Sequence, residues 1–168
     1  MDNHVRNDTL VDELARLNIP FLRGGTEQPN NQPIYPTTFI CELATNDEAR
    51  LRLALIPLFL RRPEYAVYVP HAYQNLVADA QIILACYYTA SYLLQRKYSP
   101  QLHVFYSVMN WLPDLFSKEL AIITSDVDVG LRILDERHKE LSGRKINWLG
   151  TYEHGAQKLL KFMKRKQR

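Results

Sequence analysis

The sequence has 168 residues, of which 46% are hydrophobic and 23% are charged, and these values are typical of a single globular domain. Its two cysteines, Cys41 and Cys86, lie in separate apolar segments without a C-x-x-C pair. This pattern argues against a disulfide framework or a zinc site, and it predicts that the protein is located in the reducing cytoplasm. The N-terminus is too polar for a signal peptide, and the most apolar run, residues 82–94, is too short to span a bilayer.

The first 44 residues are predicted to form one helix followed by a polar loop. The helix is predicted to begin with Asp8 as its N-cap and to end at "NIP". Between these points lie three leucines at helical spacing: Leu10, Leu14 and Leu17. Residues 23–36 contain paired glycines and three prolines, which is typical of a flexible loop. We therefore divide the chain into this N-terminal region (1–44), a helical core (45–157) and a basic helix end (158–168).

A capping motif and two prolines divide the next region. Thr45 and Glu48 match the S/T-x-x-E capping box ahead of "ARLRLALIPLFLRR", which predicts a helix start. Pro57 lies inside that helical segment, where its missing N–H and its ring predict a kink or a break. Pro63 suits the first position of a further short helix, "PEYAVYV".

Residues 77–98 are predicted to form the central helix, because the segment is apolar nearly all round. Shorter helices are predicted after Pro100, in "QLHVFYSVMNW", and from Pro113, in "PDLFSKEL". The segment "AIIT" that follows is the only candidate for a strand.

Two long helices are predicted to complete the chain. Ser125 precedes the first of them, and Gly143 follows its end as a left-handed terminating residue. The last helix begins near Asn147 and runs into the basic end. The predicted fold is therefore all-α, a single-domain bundle of roughly seven to nine helices.

The segment "NWLGTYEHGA" near the C-terminus combines a hydroxyl, a carboxylate and an imidazole, which poses the question of an active site. Tyr152, Glu153 and His154 are consecutive, and neighbours on a helix point about 100° apart, so the three do not converge. Trp148 and Tyr152 are one turn apart and are predicted to share a packed face. We interpret the segment as a helix start capped by Asn147, with Glu153 near the positive end of the dipole, and keep a catalytic role for His154 as the alternative.

A second candidate pair, Arg132 and His138, lies in "RILDERH" with five residues between the two. The spacing resembles the R-x4-6-H motif of HEPN ribonucleases, all-helical toxins whose Arg and His act on RNA phosphates. Ile133 stands where that family tends to have a polar residue, and a six-residue separation rotates the two side chains apart on a helix. The alternative is an exposed amphipathic face, which would also carry the charged residues Asp135, Glu136, Arg137 and Lys139.

No pattern in the sequence predicts a metal or a cofactor. Asp126 and Asp128 have the D-x-D spacing that holds magnesium in nucleotidyltransferases, but "IITSDVDVG" lacks their Gly-Ser turn and leads into a helix. We interpret the two acids as residues of a helix's first turn. The common phosphate-binding, hydrolase and zinc motifs do not occur, so we expect no metal site and no cofactor.

Basic residues are concentrated in the C-terminal "KLLKFMKRKQR". They are Lys158, Lys161, Lys164, Arg165, Lys166 and Arg168. The chain has a net charge of +3, and without these six it has 15 Lys and Arg against 18 Asp and Glu, so the remainder is mildly acidic. A helix with cations on one side and apolar residues on the other suits nucleic-acid phosphates, an acidic protein surface or an anionic membrane. A frayed, solvated terminus is the alternative.

Four blocks carry a resemblance to known proteins: "RLALIPLFLRRPEYA", "YYTASYLLQRKY", "LPDLFSKEL" and "ERHKELSGRKINWLGTYEHGAQKLL". As a set they resemble a group of small, uncharacterised bacterial all-helical proteins over residues 45–162. That resemblance implies a nucleotidyltransferase-like partner in a paired module of the toxin–antitoxin or defence type. It implies no catalytic residue.

These patterns leave three functional hypotheses open. The first is a non-enzymatic interaction protein that binds a protein partner, with tyrosine and tryptophan as anchors. Its candidate binding residues are Trp148, Tyr152, Glu153, His154 and the six basic residues of positions 158–168. The second is a nucleic-acid-binding protein that uses the basic end, and the third is a HEPN-like ribonuclease that uses Arg132 and His138.

Overall fold

The computed structural model describes residues 3–20 and 32–168, and all of their regular structure is helical. The α-helices are α1 (Asn3–Arg16), α2 (Pro36–Ala44), α3 (Ala49–Leu53), α4 (Leu55–Arg61), α5 (Val69–Gln74), α6 (Ala78–Lys97), α7 (Ser99–His103), α8 (Val127–Ser142) and α9 (Trp148–Lys166). A 3-10 helix, Pro63–Tyr68, lies between α4 and α5. These residues contain no strand, so the predicted all-α class is confirmed and "AIIT" is not a strand.

Helix α6 lies at the centre of the fold, as its apolar sequence predicted. It packs against α4, α8 and α9, and most of its residues are buried. Its hydroxyl groups are satisfied within the helix, because Thr89 and Ser91 donate to the carbonyl oxygens of Ala85 and Tyr87 one turn earlier. These two hydroxyls are therefore paired although the helix around them is buried on nearly all sides.

Prolines determine the helix boundaries on both sides of α4, as expected. The helical run breaks at Ala54, because Pro57 has no N–H to donate to the carbonyl of Leu53 and its ring crowds that carbonyl. Helix α3 consequently ends at Leu53, and α4 begins at Leu55. Pro63 occupies the first turn of the 3-10 helix, which confirms that prediction.

The start of α1 differs from the prediction. The helix begins at Asn3, so Asp8 lies inside it and is not its N-cap. The predicted end at "NIP" is close to the observed end at Arg16. Of the predicted loop at 23–36, residues 23–31 lie outside the described residues, and Pro36 already belongs to α2.

The predicted capping box of Thr45 and Glu48 is also wrong. Thr45 follows the last residue of α2, and its hydroxyl donates to the carbonyl oxygen of Cys41 at 2.8 Å. Asn46 accepts a hydrogen bond from the Glu48 backbone N–H at 2.9 Å. The threonine hydroxyl therefore bonds back to the preceding helix instead of capping the next one.

Of the two helices predicted after Pro100 and from Pro113, the first is shorter than predicted and the second is absent, because residues 104–125 form turns and loops. Helix α7 ends at His103, and "PDLFSKEL" is not helical. The fully buried Gln95 of α6 holds this segment, because its amide donates to the Asn110 carbonyl and accepts from the Leu112 N–H, both at 2.8 Å. These tertiary hydrogen bonds replace the ones that a local helix would have made.

The end of α8 and the start of α9 confirm the sequence predictions, whereas α8 begins at Val127, one residue after the predicted start that follows Ser125. Asp126 caps α8 by accepting from the Val129 N–H at 3.0 Å. Gly143 ends α8 with φ +69°, a left-handed conformation that glycine adopts without strain. Asn147 caps α9 by accepting from the Gly150 N–H at 2.9 Å.

One hydrophobic cluster extends from Leu10 of α1 to Met163 of α9, so the described residues form a single domain. Cys41 is half-buried and Cys86 is buried, and both are free thiols. No described helix has the length and the apolar character to cross a membrane.

Candidate functional site

A buried aromatic cluster joins the start of α9 to α8 and α6. It consists of Tyr87, His138, Trp148 and Tyr152. The imidazole of His138 stacks on the indole of Trp148 with ring centroids 3.6 Å apart and planes 11° apart. Nδ1 of His138 lies 2.5 Å from the hydroxyl oxygen of Tyr152, in a hydrogen bond whose direction depends on the imidazole tautomer. Tyr87 meets the other three rings edge-on.

Burial determines the protonation states in this cluster. His138 is 1% exposed, and desolvation lowers its pKa to about 4 although Asp135 acts in the opposite direction. Burial also raises the pKa of Tyr87 to about 12 and the pKa of Tyr152 well above its usual value. All three groups are therefore neutral at pH 7, and the cluster is stable without a counter-charge.

Asp135 ties the first turn of α9 to α8. Its Oδ1 accepts from the Leu149 backbone N–H at 2.9 Å, and its Oδ2 pairs with Nζ of Lys139 at 2.9 Å. Burial raises the pKa of Asp135, but the hydrogen bonds from Lys139 and Leu149 outweigh it, so the net pKa is below the usual value. The predicted exposed face is therefore wrong for Asp135 and His138, which are buried, and right for Glu136.

Arg132 and His138 do not share a cleft. Arg132 is exposed on α8, whereas His138 is covered by Trp148. Six residues turn a regular helix so that the two side chains lie about 120° apart around its axis. The arrangement that the R-x4-6-H motif would need, with both groups on one phosphate, is not assembled here.

Glu153 and His154 point away from the buried cluster and from each other. Glu153 accepts from Nζ of Lys97, the last residue of α6, at 2.6 Å and from the hydroxyl of Tyr98, which follows it. The hydrogen bond to Glu153 is the main reason that the pKa of Lys97 is raised. His154 is exposed, so Tyr152, Glu153 and His154 contact three different parts of the molecule.

Two of the predicted binding residues are not available to a partner in this structure. Trp148 is 8% exposed and Tyr152 is fully buried, and both are held by contacts to His138. They share one packed face, as their spacing predicted, but that face is the core. The prediction that these two rings anchor a binding surface is therefore corrected: both rings have a structural role.

The two acids of the D-x-D pattern have separate partners. Asp126 is the N-cap of α8, and Asp128 pairs with Nζ of Lys97 at 3.3 Å. Within residues 3–20 and 32–168, no group of three or more metal-ligating side chains comes together. The pattern is therefore accounted for by helix capping and an ion pair.

The second half of α9 carries a basic stripe. His154, Lys158, Lys161 and Arg165 follow each other at intervals of four, three and four residues, which places them on one side of the helix. The opposite side is buried in the core, through Ala156, Leu159, Leu160 and Met163. Residues 158–166 are helical, so the basic end is a docked helix and not a frayed terminus.

A groove runs beside this stripe, between α9 and the end of α1, with a volume of about 620 Å³. Its apolar lining includes Val11, Ile19, Pro20 and Phe162, and its cations are Lys158, Lys161, Arg165 and Lys166. A smaller hollow of about 110 Å³ continues from Lys158 and Pro20 to His154 and Arg50. Among the described residues that line the two hollows, none is acidic.

Asn18 anchors one end of the groove. It lies just after the end of α1 and has φ +58°, a left-handed conformation that asparagine tolerates. Its Oδ1 accepts a hydrogen bond from Nζ of Lys166 at 2.9 Å. Nζ of Lys166 also lies 4.9 Å from the centre of the Phe162 ring. No pattern in the sequence indicated this site, because the contact joins residues 148 positions apart.

Comparisons with known proteins supply no relative for this arrangement. No protein family, curated protein or solved structure matches the chain. The geometry and the charge of the described residues therefore carry the functional assignment.

Proposed function

We propose that this chain is a non-enzymatic interaction protein that binds an acidic, amphipathic segment of a protein partner in the groove between α9 and α1. The observation that carries the proposal is an apolar groove bordered by four cations and lined by no described acid. The remainder of the chain is mildly acidic, so positive charge is concentrated where the groove lies. Complementary charge of this kind accelerates encounter and fixes the register of a bound segment.

The groove's dimensions suit a short helix or an extended peptide. From His154 to Lys166, α9 rises roughly 18 Å, because each helical residue contributes about 1.5 Å. A partner helix of about twelve residues has the same length. Its apolar positions would contact the groove's lining, and its carboxylates would meet the lysines and arginines at the edge.

The lining favours a peptide over a nucleic acid. Sequence-tolerant binders of single strands present several aromatic rings on which bases stack. Among its described lining residues the groove offers one such ring, Phe162, and Lys166 lies over it. Ala15 and Pro20 offer aliphatic surface above the buried Val11 and Ile19, which suits leucine or isoleucine side chains.

The resemblance of residues 45–162 to helical proteins with nucleotidyltransferase-like partners supplies a candidate for the partner class. In such a pair, this chain would act by assembly or by occlusion, holding an acidic segment of the partner against α9. The exposed face of α9 supports this role, because its cations need no rearrangement to meet a partner. The neighbouring genes of the chain would supply the partner to be tested.

A designed peptide tests the proposal directly. The probe is a fluorescein-labelled helix of 16 residues with leucine along one face and glutamate elsewhere, and its affinity is measured by anisotropy. Lys161→Glu combined with Arg165→Glu should weaken binding by roughly tenfold or more, because both contacts become repulsive. Lys118→Glu combined with Arg132→Glu makes the same charge change outside the groove and should leave the affinity unchanged.

Two further probes separate the partner classes. A peptide that keeps the glutamates but has serine in place of leucine should lose roughly tenfold in affinity, because only charge remains. A thymidine 30-mer that binds more tightly than the leucine peptide, with a steep salt dependence lost in the Lys161/Arg165 variant, would assign the groove to nucleic acid. Absence of binding by both the peptide and the oligonucleotide would contradict the proposed function.

A further inference from the structure

A second hollow, of about 370 Å³, lies where the end of α2, the start of α6 and the end of α8 meet. Its volume falls in the range of small-molecule sites, and it shares no lining residue with the α9 groove. Its wall is largely apolar and aromatic, and includes Ala80, Ile83, Tyr87 and Trp148. We call this hollow the α6–α8 cavity.

Tyr87 supplies an unused polar group to the α6–α8 cavity. The residue is 3% exposed and lines the cavity. No hydrogen bond among residues 3–20 and 32–168 involves its hydroxyl, and that oxygen is not one of their buried side-chain atoms without a partner, so it is open to the cavity. Because burial raises its pKa to about 12, the hydroxyl keeps its proton at pH 7 and is a donor for a bound acceptor.

Positive potential is concentrated beside that hydroxyl. Arg52 lines the cavity, and its Nη1 is fixed by the carbonyl oxygens of Asn46 and Asp47, at 2.5 and 2.9 Å. The guanidinium lies near enough to Tyr87 to lower the pKa of that hydroxyl against the effect of burial. The first turn of the 20-residue α6 also borders the cavity, and Val77 provides no side-chain cap for its N–H groups.

Two acids, Asp47 and Asp79, and a second arginine, Arg144, also line the cavity. Asp47 and Asp79 are both exposed to solvent, whereas Arg52 is half-buried. Trp148 forms a fixed flat wall, because its indole stacks on His138. An uncharged aromatic wall next to a hydroxyl donor and a cation suits a flat ring that carries one negative group.

We propose that the α6–α8 cavity binds a small planar aromatic carboxylate, with its ring against Trp148 and Ile83 and its carboxylate accepting from Tyr87 and Arg52. The proposal is independent of the α9 groove, since no side chain is shared between the two sites. Binding would satisfy the Tyr87 hydroxyl and would add a partner to the guanidinium of Arg52.

The two tryptophans of the chain provide the measurement. In a proton–nitrogen correlation spectrum each indole gives one resonance, and Trp111→Phe identifies that of Trp148. Titration with 2-naphthoate should move the Trp148 resonance and leave that of Trp111, which is 49% exposed and outside the cavity. The uncharged 2-naphthamide has the same ring and should bind roughly tenfold more weakly, because it lacks the charge-assisted hydrogen bonds.

Tyr87→Phe removes only the hydroxyl and should weaken 2-naphthoate binding by roughly fivefold to tenfold. Tyr92→Phe, on the same helix but outside the cavity, is the matched control and should bind as the unmodified chain does. Ala80→Leu should block both naphthalene probes by filling the cavity. An unmoved Trp148 resonance, equal affinities for the acid and the amide, or a Tyr87→Phe variant with full affinity would each overturn the proposal.

Discussion

The two halves of α9 differ in how they treat polar side chains. At its start, Trp148 and Tyr152 are buried with His138, and their polar groups are withdrawn from water. At its end, Lys161 and Arg165 remain exposed beside an apolar groove. The residues whose types suggest catalysis, His138 and Tyr152, thus form part of the core, whereas the basic residues border the groove that we propose as a docking surface. Burial, and not residue type, separates the two roles.

The largest expected difference between the two halves is in stability. Trp148→Ala should lower the free energy of unfolding by about 3–5 kcal/mol, because it removes a large buried ring and leaves a cavity. Lys161→Ala should change it by less than about 0.5 kcal/mol, since the side chain is exposed. Urea denaturation of both variants tests the contrast, and similar losses in the two would contradict it.

The buried half should also respond to pH. His138 has a pKa of about 4 in the folded chain, whereas its usual pKa is 6.5. Between pH 4 and pH 6.5 the unfolded chain therefore binds a proton that the folded chain does not. The contribution of His138 to the free energy of unfolding is therefore fully present above pH 6.5 and is lost as the pH falls toward 4. Between pH 7 and pH 5 the expected loss is about 2 kcal/mol, measured by urea denaturation.

A paired replacement isolates that contribution. His138→Phe combined with Tyr152→Phe removes the imidazole and its hydroxyl partner together while keeping two stacked rings. Between pH 7 and pH 5, the free energy of unfolding of this variant should fall by about 2 kcal/mol less than that of the unmodified chain. His154→Gln removes an exposed histidine and serves as the control, because it leaves the buried cluster intact. An unchanged pH dependence in the double variant would show that His138 is not the group responsible.

A smaller effect is expected at the helix start itself. Asn147→Ala removes the side chain that accepts from the Gly150 N–H and should cost about 1 kcal/mol of stability. Asn147→Asp keeps an accepting oxygen at the same position and should be close to neutral. Thermal unfolding of the two variants measures the difference, and equal melting temperatures would contradict the capping role.

The smallest effect on stability is expected at the surface of the basic half. Lys161→Glu combined with Arg165→Glu should leave the free energy of unfolding within about 0.5 kcal/mol, because neither residue is buried. The same variant is expected to bind the designed leucine–glutamate peptide roughly tenfold or more weakly. Binding lost at unchanged stability would separate docking from scaffolding, whereas an unfolded variant would place these cations among the structural residues.

Local patterns predicted the parts of the fold that depend on local physics. The caps at Gly143 and Asn147, the break before Pro57 and the apolar central helix α6 are each determined within a few residues. The helices predicted in 104–125 failed because Gln95, on a different helix, bonds to the backbone there. Tertiary hydrogen bonds of this kind leave no trace in the local sequence.

The same limit applies to the sites. The spacing of Trp148 and Tyr152 predicted a shared packed face, but nothing in "RILDERH" indicated that His138 would stack on Trp148 and hydrogen-bond with Tyr152. The basic residues were visible as charge, whereas the groove beside them depends on the end of α1 and on the contact of Asn18 with Lys166. Charge concentration was therefore predictable and the shape of the surface was not.

Backbone chemical-shift mapping with the leucine–glutamate peptide tests most directly whether α9 divides into scaffold and docking surface. We expect shifts at Lys158, Lys161 and Arg165 and at Ala15 across the groove, with Tyr152 unmoved. Shifts confined to other faces of the molecule, or a perturbation centred on Tyr152 and His138, would contradict it.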